Sequence, residues 1–201
     1  WPRHQGFAMI PRQAGSKQAQ IRQAQIRGAR IRQARTGDAP EICAITNAVI
    51  RDTMITFTTT QRSAADIAAD IALRRAGFQV AEADGQVVGF ATFYPFRAGP
   101  GYARTRELTI QLAARARGRG LGRALMQKLE QVALAQGAHV LVAGISGANP
   151  QGIAFHAACG FDEVGRMPDV GFKAGQKLDL ILMQKLLSGA NVGPDSPAAI
   201  G

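Results

Sequence analysis

The amino-acid sequence predicts an α/β fold in which helices flank a mixed, mostly antiparallel central sheet. Strand-like segments follow one another through short turns in one part of the chain and alternate with amphipathic helices in another, in the order β-α-α-β-β-β-α-β-α-β-β. This mixture excludes a strictly alternating parallel sheet. With 201 residues, 46% of them hydrophobic, the chain can bury one full core, so one domain is expected.

Positive charge is concentrated at the N-terminus. Residues 1 to 37 hold 8 of the 24 Lys and Arg residues and no acid, whereas the rest of the chain sets 16 basic residues against 14 acidic ones. Most of the net charge of +10 therefore comes from the N-terminal residues, and the folded part is nearly neutral. This distribution argues against nucleic acid as a partner of the folded part. We expect residues 1–28 to be a disordered extension, residues 29–187 to be the folded domain and residues 188–201 to be a flexible tail.

The sequence contains no signal for a membrane span or a metal site. No run reaches the roughly 18 to 20 consecutive apolar residues that a span requires, and the N-terminus has no apolar segment with a cleavage site. Cys43 and Cys159 lie far apart and lack CxxC spacing, so we expect free thiols and no bound metal. The expectation is a soluble, cytoplasmic protein.

The first strand and helix are predicted after residue 28. Residues 29–34 alternate apolar and polar side chains, as a strand does. Asp38 and Glu41 have the spacing of a capping box, and Pro40 suits the first turn of the helix that follows. The apolar face of this helix consists of Ile42, Ile45 and Val49.

A second helix is predicted to begin at another capping box, formed by Ser63 and Asp66. Ile67 and Ile71 lie on its inner face, and Gly77 suits the left-handed residue that ends a helix.

A hairpin and a further strand come next. Residues 78–83 and 87–94 are joined by Asp84-Gly85, a pair that adopts the positive φ angles of a two-residue turn. Residues 107–112 form the further strand, after a loop rich in Pro, Gly and Arg.

The remaining chain is predicted to alternate helices with strands. The apolar face of the next helix consists of Leu121, Leu125, Leu129 and Val132. This helix ends at Gly137, residues 139–145 form an apolar strand, and Asn149-Pro150 caps a short helix that ends at Gly160. The last two strands span residues 162–166 and 178–186.

A loop with three alternating glycines joins the strand at residues 107–112 to the helix that begins near Leu121. It reads Arg117-Gly118-Arg119-Gly120-Leu121-Gly122 and is followed by Arg123. Glycines let main-chain N–H groups approach an anion, the helix N-terminus adds its dipole, and the arginines add charge, so this junction suits a diphosphate. The spacing excludes GxxxxGK(S/T) and GxGxxG, and it fits (Q/R)xxGx(G/A).

That pattern is the acetyl-CoA signature of the GNAT N-acetyltransferase superfamily, which this segment resembles. Over about residues 30 to 187 the chain is similar to one family within it, the phosphinothricin and methionine sulfoximine N-acetyltransferases. The similarity rests on Tyr102-x-x-Thr105-x-Glu107-x-Thr109, on the segment 149–161, and on Val170-Gly171-Phe172-Lys173-x-Gly175-x-x-Leu178-Asp179 followed by Met183-Gln184. It implies the GNAT acyl-CoA N-acyltransferase fold, acetylation of an amino-acid-like acceptor and a homodimer. We interpret Lys173 itself as a surface charge.

The resemblance implies acetyl-CoA as the cofactor and assigns residues to the two substrates. The cofactor would contact Ile110, Gln111, Leu112, Arg117, Gly118, Arg119, Gly120, Leu121, Gly122, Arg123 and Asn149. The acceptor would contact Arg97, Glu107, Leu108 and Thr109. The guanidinium of Arg97 suits the carboxylate of an amino acid; the alternative is a solvated loop residue. Departures from the family pattern concentrate on the acceptor side: Gln111 replaces a tyrosine, Ala103 an arginine, Gly152 a serine and Lys177 a tryptophan.

Acetyl transfer to an amine requires a base, a donor to the developing oxyanion and an acid for the leaving thiolate. Glu107, at the start of an apolar strand, is the candidate base, acting directly or through water, unless it is a surface residue at a strand end. A main-chain N–H of the strand at residues 107–112 can stabilise the oxyanion if that strand diverges from its neighbour. His156 lies where many members of the superfamily have a tyrosine that protonates the thiolate; the alternative is a histidine that only packs or supports a loop.

Two alternatives for the function stay open. The acceptor could be another amine, such as a polyamine, an aminoglycoside or a protein N-terminus, although Arg97 argues against a cationic acceptor. The basic N-terminal residues could instead make the chain an RNA-binding module.

Overall fold

The computed structural model describes residues 28–187 of the chain. The expected extension and tail lie outside the described residues, apart from Gly28. Between residues 28 and 187 the elements follow the predicted order, and the prediction of helices flanking a mixed sheet is confirmed.

A seven-stranded sheet forms the centre of the fold. Its strands are β1 Ala29–Gln33, β2 Phe78–Ala83, β3 Gln86–Pro95, β4 Thr105–Leu112, β5 Val140–Ser146, β6 Asp162–Lys173 and β7 Gln176–Leu186. They lie in the order β1-β2-β3-β4-β5-β7-β6, and all neighbours are antiparallel except β4 and β5. A parallel pair needs a crossover connection, which a helix provides here.

In the described part of the chain, four α-helices cover the sheet: α1 Ala39–Asp52, α2 Ala64–Arg74, α3 Leu121–Ala135 and α4 Pro150–Ala158. None of them is long and apolar enough to cross a membrane. Residues of β2 and β3 divide between two apolar clusters, one with α1 and α2 and the other with α3, so the helices lie on opposite faces of the sheet. The predicted apolar faces are buried, with Val132 half-buried.

The two ends of α2 differ in how well they were predicted. The Ser63 hydroxyl accepts from the Asp66 N–H and the Asp66 carboxylate accepts from the Ser63 N–H, both at 3.1 Å, so this capping box is confirmed. At the other end, the residue with a positive φ is Arg75 (φ 47°, ψ −118°), and Gly77 does not adopt the left-handed conformation predicted for it, so that prediction is wrong. Gly77 serves close packing instead, because a Cβ there would lie 3.0 Å from the ring of Phe93.

The capping box predicted for α1 is also wrong. The Asp38 carboxylate accepts from the Arg35 N–H at 2.7 Å and from the Arg32 guanidinium at 2.7 and 2.8 Å. Glu41 accepts from the Val87 N–H at 3.0 Å. The bidentate bond from Arg32, which is charge-assisted, ties Asp38 to β1 and holds the pKa of the carboxyl below its ordinary value.

The β2–β3 hairpin has its predicted turn, with φ 52° at Asp84 and 76° at Gly85. The last hairpin is longer than predicted, because β6 continues past residue 166 to Lys173. Its pairing with β7 is irregular at two places, and the irregularity between Met167 and Gly171 accommodates Pro168 within this edge strand.

β4 and β5 are paired at one end only. Residues 105–107 of β4 pair with residues 140–142 of β5. From Leu108 to Leu112, β4 stays paired with β3 and, among the described strands, has no partner on the β5 side. This divergence opens a cleft in the sheet and leaves main-chain polar groups at its edge free to bind a ligand.

Candidate active site

The divergence of β4 from β5 opens into two adjoining cavities. The larger, about 460 Å³, is bounded by β4, the loop before α3 and the start of α4. The smaller, about 150 Å³, lies between β4 and β5. The residues that line both are Val49, Ile55, Ile110, Gln111, Asn149 and His156, so the cavities form one continuous site.

The glycine–arginine loop forms one wall of the larger cavity. Gly118 and Gly120 have φ angles of 72° and 81°, in the left-handed region that side chains other than glycine rarely adopt. Gly120 is also the N-cap of α3, and no side chain between residues 28 and 187 caps this helix, so its first N–H groups are available to a ligand. The exposed side chains of Arg117 and Arg123 line the same cavity. This loop fits a diphosphate.

The other predicted loop residues have different positions. A Cβ at Gly122 would lie 3.1 Å from the side chains of Leu112 and Phe155, so this glycine lets the start of α3 pack closely between β4 and α4. The side chain of Leu121 is buried in the core at 1% exposure, which leaves only its main chain for a ligand. Arg119 is half-buried and lines neither cavity.

Asn149 both caps α4 and faces the site. Its Oδ1 accepts from the Gly152 N–H at 2.9 Å, as predicted for a helix cap, and the residue lines both cavities. A Cβ at Gly152 would collide with the Asn149 amide in this orientation, so the glycine in place of the family's serine accommodates it.

His156 is the most enclosed polar residue of the site, with 6% of its surface exposed. Its Nδ1 lies 2.8 Å from the Gly152 carbonyl oxygen, which makes Nδ1 the donor in the neutral ring. Nε2 is buried and has no hydrogen-bond partner among the described residues. The rings of Phe155 and Phe161 pack edge-on against the imidazole, each at 5.3 Å between centroids. Burial lowers the pKa of His156, although the hydrogen bond to Gly152 opposes this shift. The site therefore holds a neutral imidazole whose acceptor nitrogen, Nε2, makes no hydrogen bond to the described residues.

Glu107 lies beside the smaller cavity, at the last position where β4 pairs with β5. Its Oε1 would be 3.6 Å from a Cβ at Gly144, a residue that lines this cavity. On its other side, Glu107 is paired with Tyr94 of β3. Burial raises the pKa of the Tyr94 phenol, and the negative charge of Glu107 raises it further. The carboxylate is therefore next to the cavity and is not part of its lining.

The predicted acceptor residues are separated in the structure. Leu108 and Thr109 line the smaller cavity. Arg97 lines neither cavity; it is exposed on the loop after β3, with its guanidinium 5.0 Å from the centre of the Phe96 ring.

The sequence prediction missed the wall opposite β4. Val49 at the end of α1 and Thr53, Ile55 and Thr56 in the following segment line the cavities. These residues belong to no ligand-binding motif, and they reach the site only because α1 packs across the sheet.

Lys173 was predicted to be a surface charge, which is wrong. Only 7% of it is exposed, and its ammonium donates to the carbonyl oxygens of Ile50 at 2.7 Å and Thr56 at 3.2 Å. The family motif pointed to this lysine, but local sequence did not show which carbonyls it would meet.

The lowered pKa of His156 predicts a pH dependence of stability. The unfolded chain, with a histidine pKa near 6.5, binds more protons than the folded protein once the pH falls toward that value. The neutral ring therefore makes its whole contribution to the free energy of unfolding above about pH 7.5. This contribution is lost as the pH falls through the histidine pKa of the unfolded chain toward the lower pKa of the folded protein. We expect the Tm to fall between about pH 7.5 and 5.5, and to fall less in His156→Asn.

His139→Asn is the matched control, because His139 is exposed and should leave the slope unchanged. The Asp38 carboxyl titrates below its ordinary value of 3.8 and does not contribute in this range. An identical slope of Tm against pH in wild type and His156→Asn would contradict the prediction.

A cleft between diverging parallel strands, with a loop that fits a diphosphate at one end and a carboxylate beside the other, suits an acyltransferase whose acyl carrier bears a diphosphate. The profile of the acetyltransferase (GNAT) family matches residues 46–161. The chain belongs to this family and is an N-acetyltransferase.

Individual relatives agree with this assignment. The chain is 36% identical to the L-methionine sulfoximine/L-methionine sulfone acetyltransferase of Pseudomonas paraeruginosa over 161 residues, which cover 78% of this chain and 94% of the relative. It is similar to YncA of Salmonella typhimurium, solved with its cofactor acetyl-CoA (TM-score 0.78, 31% identity, 86% and 99% of the two chains). It is also similar to a phosphinothricin acetyltransferase of Sinorhizobium meliloti in complex with acetyl-CoA (TM-score 0.78, 32% identity, 84% and 94% of the two chains).

The predicted family and fold are confirmed by these similarities, and so is the predicted cofactor, because both solved relatives hold acetyl-CoA. The roles of individual residues and the homodimer stay predictions.

Proposed function

We propose that this protein transfers the acetyl group of acetyl-CoA to the amino group of a small amino-acid acceptor of the phosphinothricin, methionine sulfoximine or methionine sulfone type. The observation that carries the proposal is the continuous site where β4 leaves β5, with the glycine–arginine loop at one end and Glu107 beside the other. The similarity to the Pseudomonas enzyme supports the acceptor class, since it covers 94% of that protein.

The cofactor would be held by main-chain groups and two arginines. The N–H groups of residues 118–123 would bind the diphosphate, with the charges of Arg117 and Arg123 beside them. The free edge of β4 at residues 108–112 would hydrogen-bond the extended arm of the ligand, and Asn149 faces the same space. Apolar side chains of Ile55 and Phe155 exclude water from the larger cavity.

Acetyl-CoA supplies an acetyl thioester, so the reaction forms a nitrogen–carbon bond and breaks the carbon–sulfur bond, while the acceptor's ammonium gives up one proton to sulfur and one to solvent. Glu107 takes the proton that goes to solvent at its carboxylate, directly or through a water molecule, and then releases it. His156 enters the reaction neutral, so it can take the second proton at Nε2 and pass it to the leaving sulfur. A main-chain N–H on the free edge of β4 stabilises the developing oxyanion.

The acceptor's carboxylate would be held by Arg97. Among residues 28–187 this guanidinium makes no ion pair, so its charge is available to a ligand. An arginine also binds a carboxylate through two parallel hydrogen bonds, which fixes its orientation. Leu108 and Thr109 would contact the acceptor in the smaller cavity.

The proposal predicts which amines are acetylated. We expect thiol release from acetyl-CoA with methionine sulfone, methionine sulfoximine or phosphinothricin, and a kcat/KM at least about 100-fold lower for 3-(methylsulfonyl)propylamine, which is methionine sulfone without its carboxylate. The measurement is a thiol-release assay with the acetylated product identified by mass spectrometry. Turnover only with amines that lack a carboxylate would overturn the amino-acid assignment while leaving the acetyltransferase activity intact.

A further inference from the structure

The wall opposite β4 is an irregular segment, Thr53 to Phe57, that follows α1 and has no strand or helix of its own. Thr53 and Ile55 line the larger cavity, and Ile55 and Thr56 line the smaller one. The Thr53 hydroxyl donates to the Val49 carbonyl oxygen at 2.6 Å and accepts from the Ile55 N–H at 3.3 Å. Because the segment has no hydrogen-bond ladder, its position also depends on side chains that reach it from other elements. The shape of the smaller cavity therefore depends on what fixes this wall.

Two buried side chains from distant strands hold the wall. Ser146, at the end of β5, is 3% exposed and donates from its hydroxyl to the Met54 carbonyl oxygen at 2.8 Å. Lys173, at the end of β6, donates from its ammonium to the carbonyl oxygens of Ile50 at 2.7 Å and Thr56 at 3.2 Å. The wall is thus hydrogen-bonded to strands β5 and β6, which come much later in the sequence.

The ammonium of Lys173 donates hydrogen bonds to main-chain carbonyl oxygens and does not contact a described carboxylate. Among the described residues it forms no ion pair, although burying an unpaired ammonium is costly. The carbonyl of Ile50 belongs to the last turn of α1, where helical carbonyls lack partners and the helix dipole is negative. The Lys173 ammonium donates one hydrogen bond to this carbonyl of α1 and another to the carbonyl of the wall residue Thr56.

The end of β6 also packs directly on the wall. A Cβ at Gly171 would lie 2.8 Å from three atoms of the Phe57 ring, so the ring lies flat against this glycine. Gly171 and Lys173 point to the same side of β6, and both are buried. The hydrogen bonds and this close contact fix the wall from the same direction.

We propose that Lys173 is a positioning residue for the acceptor: it fixes the wall from Thr53 to Phe57 and thereby sets the shape of the smaller cavity through Ile55 and Thr56. This inference rests on the proposed function, in which an amino-acid acceptor enters the smaller cavity. Thr53 and Ile55 of the wall also line the larger cavity, but the glycine–arginine loop that would bind the diphosphate lies on another side of it. We therefore expect the loss of the lysine to weaken cofactor binding less than acceptor binding.

The test compares Lys173→Met, which keeps the length of the side chain and removes its charge, with Lys128→Met, which alters an exposed lysine of α3. For Lys173→Met we expect the KM for methionine sulfone to rise roughly tenfold or more while kcat and the Kd for acetyl-CoA change less than about threefold. Amide hydrogen exchange of residues 50–57 should become faster in this variant, with or without substrates. Lys128→Met should match the wild type in every measurement.

Ser146→Ala removes the hydrogen bond to the Met54 carbonyl without removing a charge. It should also raise the acceptor KM and the rate of amide exchange, by less than Lys173→Met does. If Lys173→Met does not fold, the same measurements on Ser146→Ala test the proposal. Equal increases in acceptor KM and acetyl-CoA Kd, or exchange at residues 50–57 unchanged from wild type, would overturn the proposal. Absence of turnover with every amino acid would refute the proposed function instead, and the exchange measurement would still decide whether Lys173 fixes the wall.

Discussion

Replacing Gly120 by valine is expected to reduce acetyl-CoA binding by at least about 100-fold. Gly120 has φ 81° and ψ −6° at the N-cap of α3, a conformation that is unfavourable for any side chain and most unfavourable for a β-branched one. The valine would force the loop to rearrange, and the N–H groups of residues 118–123 would no longer converge on a diphosphate. Calorimetric titration with acetyl-CoA measures the loss.

Two further glycine variants separate loop geometry from general damage. Gly101→Val changes a glycine with no neighbour within 4 Å of a new Cβ and no positive φ, so affinity should stay within about twofold of the wild type. Gly118→Ala imposes strain at φ 72° but causes no collision, so an intermediate loss is expected. Wild-type affinity in Gly120→Val would show that the cofactor does not use this loop.

The loop could be predicted from sequence because its chemistry is local. Three glycines and three arginines within seven residues, between a strand and a helix, define an anion site without knowledge of the rest of the fold. The helices and most strands could be predicted for the same reason, since periodicity and the caps at Ser63 and Asn149 involve residues close in sequence. The cap predicted at Asp38 failed because Arg32, on the preceding strand, competes for the same carboxylate.

The other half of the site depends on contacts between distant segments. The wall from Thr53 to Phe57 faces β4 only after α1 has packed on the sheet, and Lys173 reaches it from a strand more than 100 residues later, a separation of 117 residues from Thr56. Nothing in the local sequence distinguishes such a lysine from a solvated one. The divergence of β4 from β5 is likewise a property of the whole sheet. Arg97 illustrates the converse: the family resemblance assigns it to the acceptor, but the described fold leaves it exposed on a loop.

Glu107→Gln is expected to lower kcat for an amino-acid acceptor by about 100-fold or more, while the Kd for acetyl-CoA changes less than about threefold. Glutamine keeps the shape of the side chain beside Gly144 and Tyr94 but cannot take a proton. The defect should shrink as the pH rises toward the pKa of the acceptor's ammonium, because the free amine then needs no base. Initial rates of thiol release across this pH range measure it.

Glu163→Gln provides the matched control for this change. Glu163 is a glutamate of β6 that is 41% exposed and lies 3.4 Å from Arg166, so its loss should leave kcat within about twofold. A Glu107 variant that is slow at every pH by the same factor would assign the carboxylate to orienting the acceptor, since an orienting contact does not depend on whether the amine is already neutral. Turnover equal to the wild type would remove Glu107 from the mechanism and leave His156, which lines both cavities, as the remaining candidate for proton transfer in the site.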